Sequence, residues 1–206
     1  RLRSRGLGDV YKRQVFIPAY RDEILSDTVM VYGNVDEVEL VLNGKTIRRQ
    51  TADKGPDSDY IPVPNGGNGK NLHFPPFTFY GVPKERGVLK AVGYHQGKKV
   101  AEYTVKTPGV PERLDITYFE SGKPATKNDL LIVYVRMLDK QGVLCPVNGI
   151  PVELSVQGGE IVGPTSYPLE AGVASFLVRT GEISKININA TGKGFSTRKS
   201  LKVGKE

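Results

Sequence analysis

Tryptophan is absent from the 206 residues, and Cys145 is the chain's one cysteine. A single cysteine excludes an intrachain disulfide, and it neither proves nor excludes export. No apolar run approaches the ~18 residues that a membrane-spanning helix needs. No hydrophobic stretch follows the basic N-terminus in the manner of a signal peptide. His73 and His95 are the only histidines; on different elements, and with only Cys145 beside them, they are too few for a zinc site. No stretch carries the 3.6-residue apolar period of an amphipathic helix. What the chain does have is 24 glycines, 14 prolines and many short apolar runs. That combination predicts an all-β protein with many turns.

The net charge of +7 invites a nucleic-acid reading. Its location argues otherwise. Residues 1–14 hold Arg1, Arg3, Arg5, Lys12 and Arg13 against Asp9, so four of the seven charges sit in that short tail. The other three are spread among interspersed acids and bases, an ordinary solvated surface. The tail, RLRSRGLGDVYKRQ, has no apolar periodicity and resembles a translated adapter scar. It is expected to be unpacked and is set aside from the fold; on that reading the chain is a fragment. The alternative is a basic arm for an anionic partner.

Period-2 alternation marks the strands. Val38, Leu40 and Leu42 alternate with Glu37, Glu39 and Asn43. Asn43-Gly44 suits a two-residue hairpin because both positions tolerate positive φ, and Gln96-Gly97 closes a second one. Strands are predicted near 28–33, 37–42, 45–50, 76–80, 87–95 and 98–106. A loop from Asp53 to Leu72 is long enough to be functional or mobile. Thr107-Pro108-Gly109-Val110-Pro111 interrupts any ladder and is the expected boundary. Beyond it, strands are predicted near 112–119, 130–138, 150–157, 160–162, 172–179, 184–190 and 198–203. Leu130 to Leu138 is almost wholly apolar, which predicts a central strand buried on both faces. Asp139 to Gly142 reads as a turn. Two blocks of this size and pattern predict two tandem Ig-like, Greek-key β-sandwiches over residues 15–108 and 112–206.

The segments VYGNVDEVELVLNGK (31–45), PPFTF (75–79) and GVLKAVGYHQGKKVA (87–101) resemble the sandwich domain that follows the catalytic barrel in β-galactosidase-like enzymes of glycoside hydrolase family 2. The second block more loosely resembles the bacterial, invasin-like Ig domain that often comes next. The resemblance implies an accessory region whose partners are the parent's TIM barrel and other domains of the same chain, with carbohydrate as a further candidate partner. It favours a periplasmic or secreted location. It implies no cofactor. The family's catalytic glutamates lie on the barrel, which no segment here matches, so no catalytic residue carries over. The rival reading is a carbohydrate-binding or adhesion module of a bacterial surface protein.

The residues themselves offer little chemistry. Glycoside hydrolysis needs two carboxyl groups about 5–9 Å apart in a shaped cleft. Glu37 and Glu39 share a strand face, but it is the solvent face. Asp53, Asp57 and Asp59 could give part of a Ca²⁺ shell, yet their spacing lacks the EF-hand glycine and terminal glutamate. Gly66-Gly67-Asn68-Gly69-Lys70 ends like a phosphate loop without the Ser/Thr or helix that would complete it. Cys145 has no evident histidine partner and reads as a small packing residue. His73, just before the PPFTF stretch, reads as a packing or hydrogen-bonding residue. Phe74, Phe77, Phe79, Tyr80, Tyr94 and Tyr103 could form a sugar-stacking platform, but core packing accounts for most of them. Tyr80, at a strand end, is the remaining candidate for a carbohydrate contact.

Overall fold

The computed structural model describes residues 12–18, 27–53, 75–119, 124–182 and 184–204. The chain divides into two compact units, residues 1–107 and 108–206. Among the described residues every regular element is a strand.

The first unit contains β1 (Val15–Phe16), β2 (Val29–Gly33), β3 (Glu37–Leu42), β4 (Lys45–Thr51), β5 (Phe77–Phe79), β6 (Val88–His95) and β7 (Lys98–Lys106). They form two antiparallel sheets, β1-β2-β5 and β4-β3-β6-β7. The alternation in β3 does what its pattern dictates: Val38, Leu40 and Leu42 are buried. They join Val29, Val31, Phe77, Phe79, Leu89 and Ala91 in one core. Each large side chain buried there stabilises the unit by roughly 1.5–3 kcal/mol. Asn43 and Gly44 have φ of 51° and 80°, and Gln96 and Gly97 have 51° and 75°. These are the paired positive angles of a two-residue hairpin.

The second unit contains β8 (Pro111–Tyr118), β9 (Leu130–Asp139), β10 (Pro151–Gln157), β11 (Gly159–Ile161), β12 (Ser166–Pro168), β13 (Val173–Thr180), β14 (Lys185–Gly192) and β15 (Phe195–Lys202). Its sheets run β11-β13-β9-β8 and β12-β10-β14-β15. Apart from the short β12, this is the four-and-three strand order of a constant-type immunoglobulin domain. Between the sheets lie Leu114, Ile116, Val133, Val135, Met137, Phe176, Ile186 and Ile188. Asp139 ends β9 with its carboxylate buried. That carboxylate accepts the amides of Gly109 at 2.7 Å, Gln141 at 2.8 Å and Val143 at 2.8 Å. Cys145 lies beside it, 2% exposed, with Sγ 3.6 Å from the Gly109 carbonyl oxygen.

Two expectations need correction. Leu130 to Leu138 is a central strand between β13 and β8, but it is not buried on both faces. Leu131, Val133, Val135 and Met137 point inward, whereas Leu130 is 52% and Ile132 44% exposed. A sandwich strand has only one face toward the partner sheet, whatever residues the other face carries. The tail was expected to be unpacked through Gln14. Yet the Gln14 amide donates to Asn34 Oδ1 at 2.7 Å, and Asn34 Nδ2 donates to the Lys12 carbonyl at 3.0 Å. An Asn side chain can serve backbone donors and acceptors at once, which a composition argument does not register. Residues 1–11 lie outside the described residues, as do Asp57, Asp59, His73, Phe74 and the Gly66–Lys70 run. Strands β1 and β12 were not anticipated, being too short to show a period.

Candidate functional site

The segments that stood out in the sequence turn out to be tied to one another. Asn43 Nδ2 donates to the Arg86 carbonyl at 3.1 Å, and its Oδ1 accepts the Val88 amide at 2.8 Å. The β3–β4 turn is thereby fastened to the start of β6. Gly87 makes this possible: its φ is 137°, and a Cβ there would sit 1.9 Å from Asn43 Oδ1. Gly93 is required for a different reason, because a Cβ would meet Val15 and Val35 side chains at 2.8 and 3.0 Å. At the other end, Asp36 accepts the Gln96 amide at 2.8 Å and contacts His95 Nδ1 at 2.9 Å. The Gln96 amide, then His95, hold the Asp36 carboxyl below its ordinary pKa.

Glu37 and Glu39 are engaged in the same way. Glu37 pairs with Arg49 at 2.6 Å. Glu39 accepts the Thr46 hydroxyl and the Tyr94 hydroxyl, each at 2.7 Å. Those two donors, Thr46 first, hold the Glu39 carboxyl below its usual range, and Glu39 in turn raises the Tyr94 phenol. The Arg49 guanidinium lies 3.7 Å from the Tyr94 ring centroid. The outer face of β4-β3-β6-β7 is thus a network of paired charges. Neither carboxylate is free to act as an acid or a nucleophile toward a substrate.

The outer face of β1-β2-β5 is different. Phe16 and Tyr32 are register partners on β1 and β2. Met30 follows two residues along β2, and Tyr80 lies just past the end of β5. They are exposed by 47% (Phe16), 42% (Tyr32), 42% (Met30) and 40% (Tyr80). Their neighbour Thr78 is buried, its amide and hydroxyl both bonded to the Asp53 carboxylate. Around the β1 edge, Phe16 meets Tyr103 of β7 edge-on at 4.9 Å. There an open cleft of about 730 Å³ lies among Phe16, Tyr32, Val100, Tyr103, Arg13 and Glu102. Glu102 pairs with Lys99 at 2.7 Å and Lys90 at 3.7 Å.

The structure therefore places Tyr80 in an apolar stripe with three residues that the sequence reading did not single out. The signal for them was the run Val29-Met30-Val31-Tyr32, which is apolar on both faces of a strand. Phe77 and Phe79 are core, while Tyr94 and Tyr103 are held at the surface and the edge. Among the described residues no group of three or more His, Cys, Asp or Glu is gathered for a metal ion. What the arrangement offers is contact with an apolar or ring-faced surface.

A model of a domain of unknown function, DUF4982, matches residues 26–101. A β-galactosidase of Rhizobium radiobacter is 30% identical over 129 residues, which make up 62% of this chain and 92% of that protein. A β-galactosidase of Thermoanaerobacter pseudethanolicus is 29% identical over 194 residues, 86% of this chain and 24% of that protein. A solved β-glucuronidase of glycoside hydrolase family 2 shares the fold with a TM-score of 0.75 at 22% identity, over 94% of this chain and 20% of that one. The chain belongs to the β-galactosidase-like members of glycoside hydrolase family 2, and corresponds to their C-terminal region of Ig-like sandwiches. It spans about a quarter of the Thermoanaerobacter enzyme and a fifth of the glucuronidase.

Proposed function

We propose that this chain is a non-catalytic accessory region of a β-galactosidase-like parent enzyme, bracing the catalytic barrel or shaping its rim during carbohydrate degradation. The observation that carries the reading is coverage: the chain aligns with a quarter of a β-galactosidase through two sandwiches. The occupied carboxylates agree with it, since Glu37, Glu39 and Glu102 are all bonded to neighbouring side chains. The region's work is then mechanical. A domain that buries surface against its neighbour stabilises it and fixes loop positions without touching the reacting bond. A second reading, a carbohydrate-binding module, is favoured by the exposed rings of Tyr80, Tyr32 and Phe16.

The test is to delete residues 112–206 from the parent enzyme. The expected result is a lower melting temperature or impaired assembly, with turnover per folded molecule little changed. The isolated chain is expected not to hydrolyse aryl β-galactosides, and not to be retarded by soluble polysaccharides in affinity electrophoresis. Retardation abolished by Tyr80→Ala would replace the bracing role with the binding-module reading.

A further inference from the structure

We infer that the outer face of the β1-β2-β5 sheet, centred on Phe16, Met30 and Tyr32, is the surface on which the parent enzyme's own catalytic domain docks. The inference rests on the accessory reading above and names the face and the partner. Four observations converge on it. The residues that point outward from this sheet are apolar or aromatic, and no charged side chain interrupts the stripe. Aromatic residues and methionine are enriched where interfaces are fully buried. By contrast, the outer face of β4-β3-β6-β7 is filled with ion pairs that would be costly to desolvate.

The second unit also exposes apolar residues, Phe119, Leu130 and Ile132. They share their sheet face with the Arg136–Asp115 and Arg179–Glu160 pairs, so burying that face would also bury charge. The remaining observation concerns connectivity. Because the chain corresponds to a C-terminal region, the rest of the enzyme is joined through β1, the strand that carries Phe16. A tethered domain meets the surface beside its tether at high effective concentration, so a modest apolar face suffices to hold it. Domain interfaces of this kind bury about 600–1,500 Å². The stripe alone is smaller than that, and the walls of the adjoining cleft, Val100 and Tyr103, extend it.

Hydroxyl-radical footprinting tests the inference, since methionine, tyrosine and phenylalanine are the side chains that it reads. Met30, Tyr32 and Phe16 should be oxidised readily in the isolated 206-residue chain and several-fold more slowly in the full-length parent. Tyr32→Asp should lower the melting temperature of the parent and leave that of the isolated chain unchanged, because the position faces outward. Equal oxidation in both forms overturns the inference. If Phe119, Leu130 and Ile132 are protected instead, the region docks by another face: the inference fails while the accessory reading stands. If neither face is protected and Tyr32→Asp changes neither protein, both fail.

Discussion

Asp139 shows how much one buried carboxylate can organise. Burial alone would raise its pKa, but the amides of Gly109, Val143, Gln141 and Gly142 outweigh that effect and hold it below the ordinary 3.8. The sequence announced a turn at Asp139 to Gly142 but not this role, because the turn's partner, Gly109, lies 30 residues upstream. Local spacing carries no information on such a contact. Removing the carboxylate strands three amide donors, and Asp139→Ala should destabilise the second unit by about 2–4 kcal/mol in urea denaturation. The pH dependence follows from a depressed folded-state pKa. The contribution is fully present above about 3.8, the unfolded value, and is lost as pH falls through the lower folded value. Asp139→Ala should therefore flatten the acid limb of the stability curve; an unchanged limb would show that other carboxylates control it.

Among elements, strands were readable wherever alternation ran for five or more residues, as in β3, β7 and β14. They were unreadable where pairing had only two or three residues, as in β1 and β12. The misreading of β9 was of another kind. An apolar strand reports that both faces avoid water in the working protein, and an isolated sandwich can satisfy only one of them. The candidate stripe was half legible for the same reason: Tyr80 was noticed, while Met30 and Tyr32 passed as ordinary strand residues. The tie between the β3–β4 turn and β6 gives an element-level prediction. Gly87→Ala forces both an unfavourable φ and a clash with Asn43, so it should cost about 3 kcal/mol or more. In a double-mutant cycle, Asn43→Ala should relieve the clash and leave the φ strain, giving a coupling above about 0.5 kcal/mol. Strict additivity would mean that the tie is not energetically real.

At the scale of the whole molecule, two sandwiches and a family were visible in the sequence because turn chemistry and motif order are both linear information. Which face meets the parent enzyme was not, since a surface is assembled from strands distant in sequence. Cys145 has a consequence for experiments at this scale. Burial first, and the Asp139 charge second, push its thiol pKa up, so the folded protein presents almost no thiolate. Disulfide reagents must then wait for the second unit to open, and the labelling rate becomes a clock for that event alone. A less stable second unit should react about tenfold faster for each 1.4 kcal/mol lost. Asp139→Ala should speed the clock accordingly, and Gly87→Ala should leave it unchanged if the two units unfold separately. Should both variants accelerate it, the units share one unfolding transition. One thiol, placed by nature in one of two sandwiches, thus reports cooperativity across the chain without any engineered probe.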